Sequence, residues 1–131
     1  MKRKMEEQYK LNKLANNIYK ANKKKGFWDK ERNVGEMLML IVTELAEAME
    51  AHRGRGNTLD RKLFEDTQKA SPMMFKEDFE VCIKDTFEDE ISDALIRIFD
   101  LCGGLGIDLD FHVKNKLKYN TMRAKLHGKK Y

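Results

Sequence analysis

Four acidic side chains stand in two short motifs within segments that are otherwise apolar. Glu44-x-x-Glu47 lies in residues 37–53, and Glu90-x-x-Asp93 lies in residues 85–101. On a helical period of 3.6 residues, the two acids of each motif share a face with apolar residues. Carboxylates one turn apart repel each other, and burial increases that cost unless a cation compensates. The pattern therefore predicts that two packed helices bring four carboxylates to one site.

The chemistry that such a group supports is the binding of a hard divalent cation. Several carboxylate oxygens suit Mg²⁺, with Mn²⁺ as the alternative ion, and either can clamp a polyphosphate and neutralise charge on a leaving group. We therefore predict that the metal ligands and the catalytic residues are the same four acids. They are Glu44, Glu47, Glu90 and Asp93. The spacing leaves open which of them orients the attacking water.

Four further residues are candidates for substrate binding. Lys116, Asn120 and Arg123 recur at i, i+4 and i+7 on the last predicted helix, where they would hold phosphate oxygens. Trp28 follows Gly26 in a short connector and offers a flat wall for a base. The simpler interpretation of Trp28 is that it closes the top of the core.

A solvated surface is the usual explanation of a single E-x-x-E motif. Two such motifs on the apolar faces of separate helices weigh against that explanation here. No histidine stands in an E-x-x-H pair, which argues against a ferritin-like di-iron site. Asp100 lies at the margin of the acidic face and is a candidate for supporting the ligands.

The elements that must position these residues are helices. Charged residues make up 37% of the chain, with one proline and eight glycines, which favours long helices over strands and turns. We expect an all-α bundle of four to five helices. The helix over residues 85–101 is apolar nearly all round, is expected to be buried, and should end at the glycines 103, 104 and 106. The other predicted helical segments are 6–25, about 33–53, a short helix within 58–74, 75–83 leading without a clear break into 85–101, and about 108–126.

The length and composition limit the remaining possibilities. A chain of 131 residues is most simply one domain, and its net charge of +4 favours an anionic partner. Cys82 and Cys102 have no metal-ligand spacing, so we expect reduced thiols and a cytoplasmic location. The basic N-terminus lacks a following apolar stretch, which predicts no signal peptide. The longest apolar run, residues 37–42, is too short to span a membrane.

Together these segments resemble the MazG-like all-α nucleoside triphosphate pyrophosphohydrolases, in particular their small single-domain phage and bacterial forms. The resemblance rests on both acid motifs, the G-F-W connector, DEISDALIRIFDLCGGLGIDL and the ending KYNTMRAKLHGKKY. It implies a helical bundle completed by oligomerisation into a dimer or tetramer. The implied activity is Mg²⁺-dependent cleavage of a nucleoside triphosphate between its α and β phosphates, which yields monophosphate and pyrophosphate. It also implies that the four acids ligate the metal.

One departure from the family pattern is the longer gap between the two acid motifs. This insert, at about residues 55–84, would lie over the site or at a subunit interface. Two other functions stay open. A helical module that binds nucleic acid or a protein partner would explain the lysines but not the acids, so it is less favoured. A noncatalytic nucleotide sensor would use the same scaffold.

Overall fold

A computed structural model describes residues 10–130, and in this range the chain is all-helical, which confirms the predicted fold class. There are six α-helices and no strand among these residues. We number the α-helices α1 (Leu11–Lys24), α2 (Val34–Glu50), α3 (Arg61–Ala70), α4 (Phe75–Cys82), α5 (Phe87–Leu105) and α6 (Leu109–Thr121). None of them is long and apolar enough to cross a membrane. The start of the first helix was predicted at Glu6, which lies outside the described residues. The N-terminal segment considered for a signal peptide lies outside them as well, except for Lys10.

The described residues form two compact units. The first contains the residues before Glu31 and those after Ile98, and in it α1 packs against α6. The second, Glu31–Ile98, contains α2, α3, α4 and most of α5. Because both acid motifs fall in the second unit, the candidate site is built within one unit. This division into two compact units does not test the prediction of a single domain, which stays a prediction.

Helix α2 begins where its sequence predicts. The side chain of Asn33 accepts a hydrogen bond from the Glu36 backbone N–H at 3.0 Å, which caps the first turn. The buried residues of α2 recur at i, i+4, i+7 and i+11, and they are Met37, Ile41, Glu44 and Ala48. One acid therefore occupies a position in the middle of the buried stripe. Beyond Glu50 the chain makes a π-helical turn, Ala51–Arg55, in which Gly54 takes a φ of +89°.

The predicted insert contains two helices that pack on each other. Asp60 caps α3 by accepting from the Leu63 backbone N–H at 3.0 Å, and α4 follows a short 3₁₀ turn at Pro72–Met74. The ring centroids of Phe64 and Phe75 lie 5.7 Å apart in an edge contact. The short helix predicted in residues 58–74 and the helix predicted over 75–83 are both confirmed.

A sharp break separates α4 from α5, so the prediction of a continuous passage between them is wrong. Asp85 adopts a φ of +61°, in the left-handed region. Thr86 is fully buried, and its Oγ1 accepts a hydrogen bond from the Asp89 backbone N–H at 3.2 Å. This cap starts α5, and it fixes the direction in which the helix presents Glu90 and Asp93.

The glycine run does not end α5 where the sequence predicts. Gly103 and Gly104 lie inside the helix, which continues to Leu105, and only Gly106 takes a positive φ, of +66°. A Cβ on Gly103 would lie 2.6 Å from the Ala15 carbonyl oxygen, and one on Gly104 would lie 2.2 Å from the Trp28 ring. These two glycines allow close packing rather than helix termination.

The expectation that α5 is buried all round is wrong for the single chain. Ile91 is 42% exposed and Leu95 is 50% exposed, although Ala94 on the opposite side is buried. Helix α2 also carries an exposed apolar stripe, which begins one residue after its buried stripe. The members of that exposed stripe are Leu38, Val42, Leu45 and Met49. Both helices of the acid motifs therefore present apolar surface to solvent in the isolated chain.

The last helix is shorter than predicted. Asp108 caps α6 by accepting from the Phe111 backbone N–H at 3.0 Å, but α6 ends at Thr121 rather than near Leu126. Arg123 therefore lies beyond the helix, and its guanidinium donates to the His127 carbonyl at 3.3 Å. Leu117 and Tyr119 are both exposed.

Candidate metal centre

Three of the four predicted acids meet in one group. One carboxylate oxygen from each of Glu44, Glu90 and Asp93 lies within 4.8 Å of the other two. Glu44 is 8% exposed and Glu90 is 6% exposed, so two of the three carboxylates are buried. Helix α2 supplies the first and α5 supplies the others, as the spacing of the motifs predicts. We call Glu44, Glu90 and Asp93 the acid triad.

Glu47, the fourth predicted acid, differs from the triad in its exposure. Its side chain is exposed and lies outside the triad, yet it shares a hydrogen bond with the side chain of Glu90. This contact with Glu47 is one of the causes that raise the pKa of Glu90. The structure thus places Glu47 beside the triad and open to solvent.

The electrostatics of the triad show that its negative charge is incompletely balanced. Burial, together with the charge of Glu47, raises the pKa of Glu90 to about 7. Burial and the charge of Asp89 also raise the pKa of Asp93. Both shifts mean that the carboxylates resist ionising together. A cation bound to them would reverse that preference.

Arg97 supplies one positive charge to this group, and sequence reasoning gave it no role. Its Nε donates to Glu44 Oε1 at 2.5 Å, and its charge lowers the pKa of Asp93 against the larger effects that raise it. The signal was present in the sequence, because Arg97 lies four residues after Asp93 and seven after Glu90, on the same helical face. Arg97 therefore acts as the counter-charge of the triad.

Two clefts border these acids. The first, of about 420 Å³, is lined by Glu47, Glu90 and Arg55 among others, and we call it the α2 cleft. The second, of about 410 Å³, lies along α4, and we call it the insert cleft. The insert cleft is lined by Phe75, Lys76, Phe79, Glu80, Lys84, Asp85, Asp89 and Asp93. Because Asp85 lines both clefts, the two are adjacent.

The predicted phosphate-binding residues belong to the other compact unit. Lys116 and Arg123 lie over the ring of Tyr119, with Lys116 Nζ at 5.1 Å and Arg123 Cζ at 5.7 Å from its centroid. Asn120 Oδ1 is buried and has no hydrogen-bond partner among residues 10–130. The structure therefore places Lys116 and Arg123 against one ring, and the phosphate-binding role of all three residues stays a prediction.

Trp28 has a packing role within the same unit as α6. Its Nε1 donates to Asp100 Oδ1 at 2.9 Å, and its ring meets Tyr19 edge-on with centroids 5.1 Å apart. Its ring also lies against Gly104. These contacts agree with the simpler interpretation of Trp28. They also show that Asp100 holds the Trp28 ring through a hydrogen bond. Two predictions stay untested: that Asp100 supports the metal ligands, and that Trp28 binds a base.

No family model, curated protein or solved structure matches the chain. The resemblance to MazG-like enzymes therefore stands on the motifs alone. The acid triad, Arg97 and the two clefts are the observations from which a function can be argued.

Proposed function

We propose that this protein is a Mg²⁺-dependent nucleoside triphosphate pyrophosphohydrolase of the MazG-like kind. It would cleave a nucleoside triphosphate between the α and β phosphates to give a monophosphate and pyrophosphate. The observation that carries the proposal is the acid triad, in which three carboxylates from two helices lie within 4.8 Å of one another.

The donor set of the triad fits a hard divalent cation. Glu44, Glu90 and Asp93 would hold Mg²⁺ through oxygen atoms, with substrate phosphates and water completing an octahedral shell. Mn²⁺ accepts the same ligands. When bound, the ion would supply charge neutralisation to the phosphates during cleavage. The raised pKa of Glu90 supports this assignment, because a buried carboxylate that resists ionising gains from a cation beside it.

Two side chains near the triad have separate roles in the proposed reaction. Glu47 is exposed in the α2 cleft and hydrogen-bonded to Glu90, so its carboxylate can accept the proton of an attacking water. Arg97 holds the Glu44 carboxylate in place before substrate binds. Its guanidinium is partly exposed, so it can also reach a phosphate oxygen without burying a new charge.

The exposed apolar stripes of α2 and α5 support an oligomeric enzyme. Val42 and Leu45 on α2, like Ile91 and Leu95 on α5, present apolar surface that a second copy would cover. A homo-oligomer also agrees with the MazG-like resemblance. We infer a dimer or tetramer acting on free nucleotides, with the cytoplasm as its expected location.

A panel of ribonucleoside and deoxyribonucleoside triphosphates with Mg²⁺ tests the activity. We expect monophosphate and pyrophosphate as products, seen by ion-exchange chromatography, with no turnover in EDTA. Glu90→Gln and Asp93→Asn should each lower kcat at least a hundredfold and keep the helical circular dichroism spectrum. Glu65→Gln is the matched control, because Glu65 pairs with the exposed Arg61 on the surface of α3.

The products distinguish the proposal from its alternatives. Release of inorganic phosphate and a diphosphate would assign the protein to a different class of hydrolase. Metal-dependent nucleotide binding without turnover would indicate a sensor. Full activity in both triad variants would show that the metal site lies elsewhere.

A further inference from the structure

We propose that the insert cleft is the nucleoside subsite, and that Phe75 and Phe79 determine which base the protein accepts. This inference deepens the proposed function and rests on it for the identity of the ligand. It gives a role to the insert, which sets this chain apart from the family pattern. The observations that carry it are the aromatic wall, two lysines that form no ion pair within residues 10–130, and a triad carboxylate in the same cleft.

The aromatic wall consists of two phenylalanine rings on successive turns of α4. Their centroids are 6.1 Å apart with an interplanar angle of 25°, so the rings are nearly parallel. Phe75 is 55% exposed even though the ring of Phe64 on α3 contacts its ring in an edge arrangement. A flat apolar surface that is held in place yet open to solvent is the kind of platform on which a base stacks.

The charges of the insert cleft favour a metal-bound polyphosphate. Lys76 and Lys84 line it, and neither forms an ion pair with any residue in the described range. In the α2 cleft, by contrast, the Arg55 guanidinium already pairs with Glu50 at 3.0 Å. Both lysines are therefore available to meet phosphate oxygens in the insert cleft.

Acidic groups nevertheless outnumber the lysines in the insert cleft. Glu80, Asp85 and Asp89 line it together with Asp93 of the triad. Asp89 is partly occupied, because its Oδ2 accepts from the Asp85 backbone N–H at 3.0 Å. A bare polyanion would be repelled here, whereas a triphosphate that brings its own divalent cation would not be. The insert cleft thus favours a triphosphate bound to a divalent cation over a metal-free triphosphate, and the triad would bind the same metal complex.

The position and size of the cleft complete the assignment. Asp93 belongs both to the triad and to the cleft lining, so a ligand whose phosphates reach the triad extends naturally along α4. The volume of about 410 Å³ lies within the range of small-molecule sites. The phosphates would lie near Asp93 and the lysines, with the base against Phe75 and Phe79.

The test compares the binding of a nucleoside triphosphate with that of inorganic tripolyphosphate, which has no base. Isothermal titration calorimetry with Ca²⁺, a hard cation used to slow turnover, measures both ligands on the full chain. Phe75→Leu keeps apolar volume on the helix but removes the flat ring. We expect Phe75→Leu and Phe79→Leu to weaken nucleotide binding about tenfold, as loss of base stacking does, and to leave tripolyphosphate binding unchanged.

Two control substitutions separate the cleft from its surroundings. Val81→Ala changes an exposed apolar residue of α4 that does not line the cleft, and it should alter neither affinity. Lys76→Gln and Lys84→Gln should weaken nucleotide and tripolyphosphate alike, whereas Lys69→Gln on α3 should weaken neither. Circular dichroism of each variant verifies that the helices are retained.

The outcomes distinguish this inference from the proposed function. If the wild-type protein binds the nucleotide but releases no pyrophosphate, the proposed enzymatic activity is rejected and the nucleoside subsite stays supported. If the wild-type protein hydrolyses the nucleotide and both phenylalanine variants bind it with unchanged affinity, the proposed activity stands and the nucleoside subsite is rejected. Binding of an aromatic amine such as tryptamine that is stronger than that of the metal-bound nucleotide would also overturn it, because the cleft would then recognise a cation.

Discussion

At the scale of single residues, the pair formed by Arg97 and Glu44 is the clearest energetic feature of the site. Glu44 is buried, so removal of its partner leaves a carboxylate without compensation in a poorly solvated position. Because Arg97 is partly exposed, we expect Arg97→Gln to destabilise the metal-free protein by about 1 to 2 kcal/mol, less than for a fully buried pair. Urea denaturation in EDTA measures this loss.

Added Mg²⁺ should recover part of the stability that Arg97→Gln loses, since the cation replaces the missing charge on Glu44. The matched control is Arg55→Gln, which removes an arginine from a solvent-exposed pair with Glu50 and should change stability little. Equal losses in the two variants would contradict a special role of Arg97 at the triad.

The pKa of Glu90 predicts an unusual dependence of stability on pH. Its value of about 7 in the fold exceeds the ordinary 4.5, so the folded protein retains a proton that the unfolded chain has already lost. Between about pH 4.5 and 7 the metal-free fold therefore loses stability as pH rises. Thermal unfolding in EDTA should show a falling Tm across this window, with the raised pKa of Asp93 adding in the same direction.

Glu90→Gln is the control for this pH dependence, because it keeps the shape of the side chain and cannot ionise. Its Tm should change less between pH 5 and 8 than that of the wild-type chain. In wild-type protein, Mg²⁺ should raise the Tm more at pH 8 than at pH 5, since only ionised carboxylates bind the metal. Parallel wild-type and variant profiles would refute the coupling.

At the scale of helices, the sequence predicts the elements well and their ends less well. The period of 3.6 residues correctly placed Glu44 and Glu90 on buried faces, because burial of a helical stripe leaves a repeating pattern. The same pattern cannot show that Gly103 faces Ala15, since that contact joins residues distant in the chain. For the same reason the sequence pattern predicted that the helix ends at Gly103, whereas this glycine allows close packing.

The site divides in the same way between local and long-range information. The grouping of Glu44, Glu90 and Asp93 was predictable from residue types and spacing, while the partner of Glu44 and the walls of the clefts were not. Phe75 and Lys76 lie in the insert, and between them and Asp93, with which they line one cleft, the chain passes through the break at Asp85. A turn through a left-handed aspartate has no strong sequence signal, so this part of the site required a structure.

Helix α5 provides a test of how its glycines act. Alanine favours a helix over glycine by about 1 kcal/mol, so Gly104→Ala would stabilise α5 if helix propensity decided the result. Because the new Cβ would meet the Trp28 ring at 2.2 Å, we expect a net destabilisation of about 1 to 2 kcal/mol instead. Urea denaturation measures it. In a Trp28→Phe background the same substitution should cost less, and an unchanged cost would show that the ring is not responsible.

At the scale of the whole molecule, the exposed apolar surface is the property that a single chain leaves unexplained. Val42 and Leu45 on α2, with Ile91 and Leu95 on α5, are exposed on the helices that carry the triad. If a second copy covers these residues, assembly and the acid triad are linked through the same two helices. Loss of assembly should then reduce the affinity of the triad for Mg²⁺, because its two helices would be less firmly held.

Analytical ultracentrifugation tests this link between assembly and the site. Leu45→Glu places a charge in the exposed stripe of α2, and we expect it to shift the wild-type oligomer to monomer with a lower Tm and weaker Mg²⁺ binding. Val81→Glu introduces the same charge at an exposed apolar residue of α4 and should leave the oligomer intact. A monomeric wild-type chain would contradict the oligomer. An oligomer unaffected by Leu45→Glu would place the interface elsewhere, and a monomeric variant with normal Mg²⁺ affinity would separate assembly from metal binding.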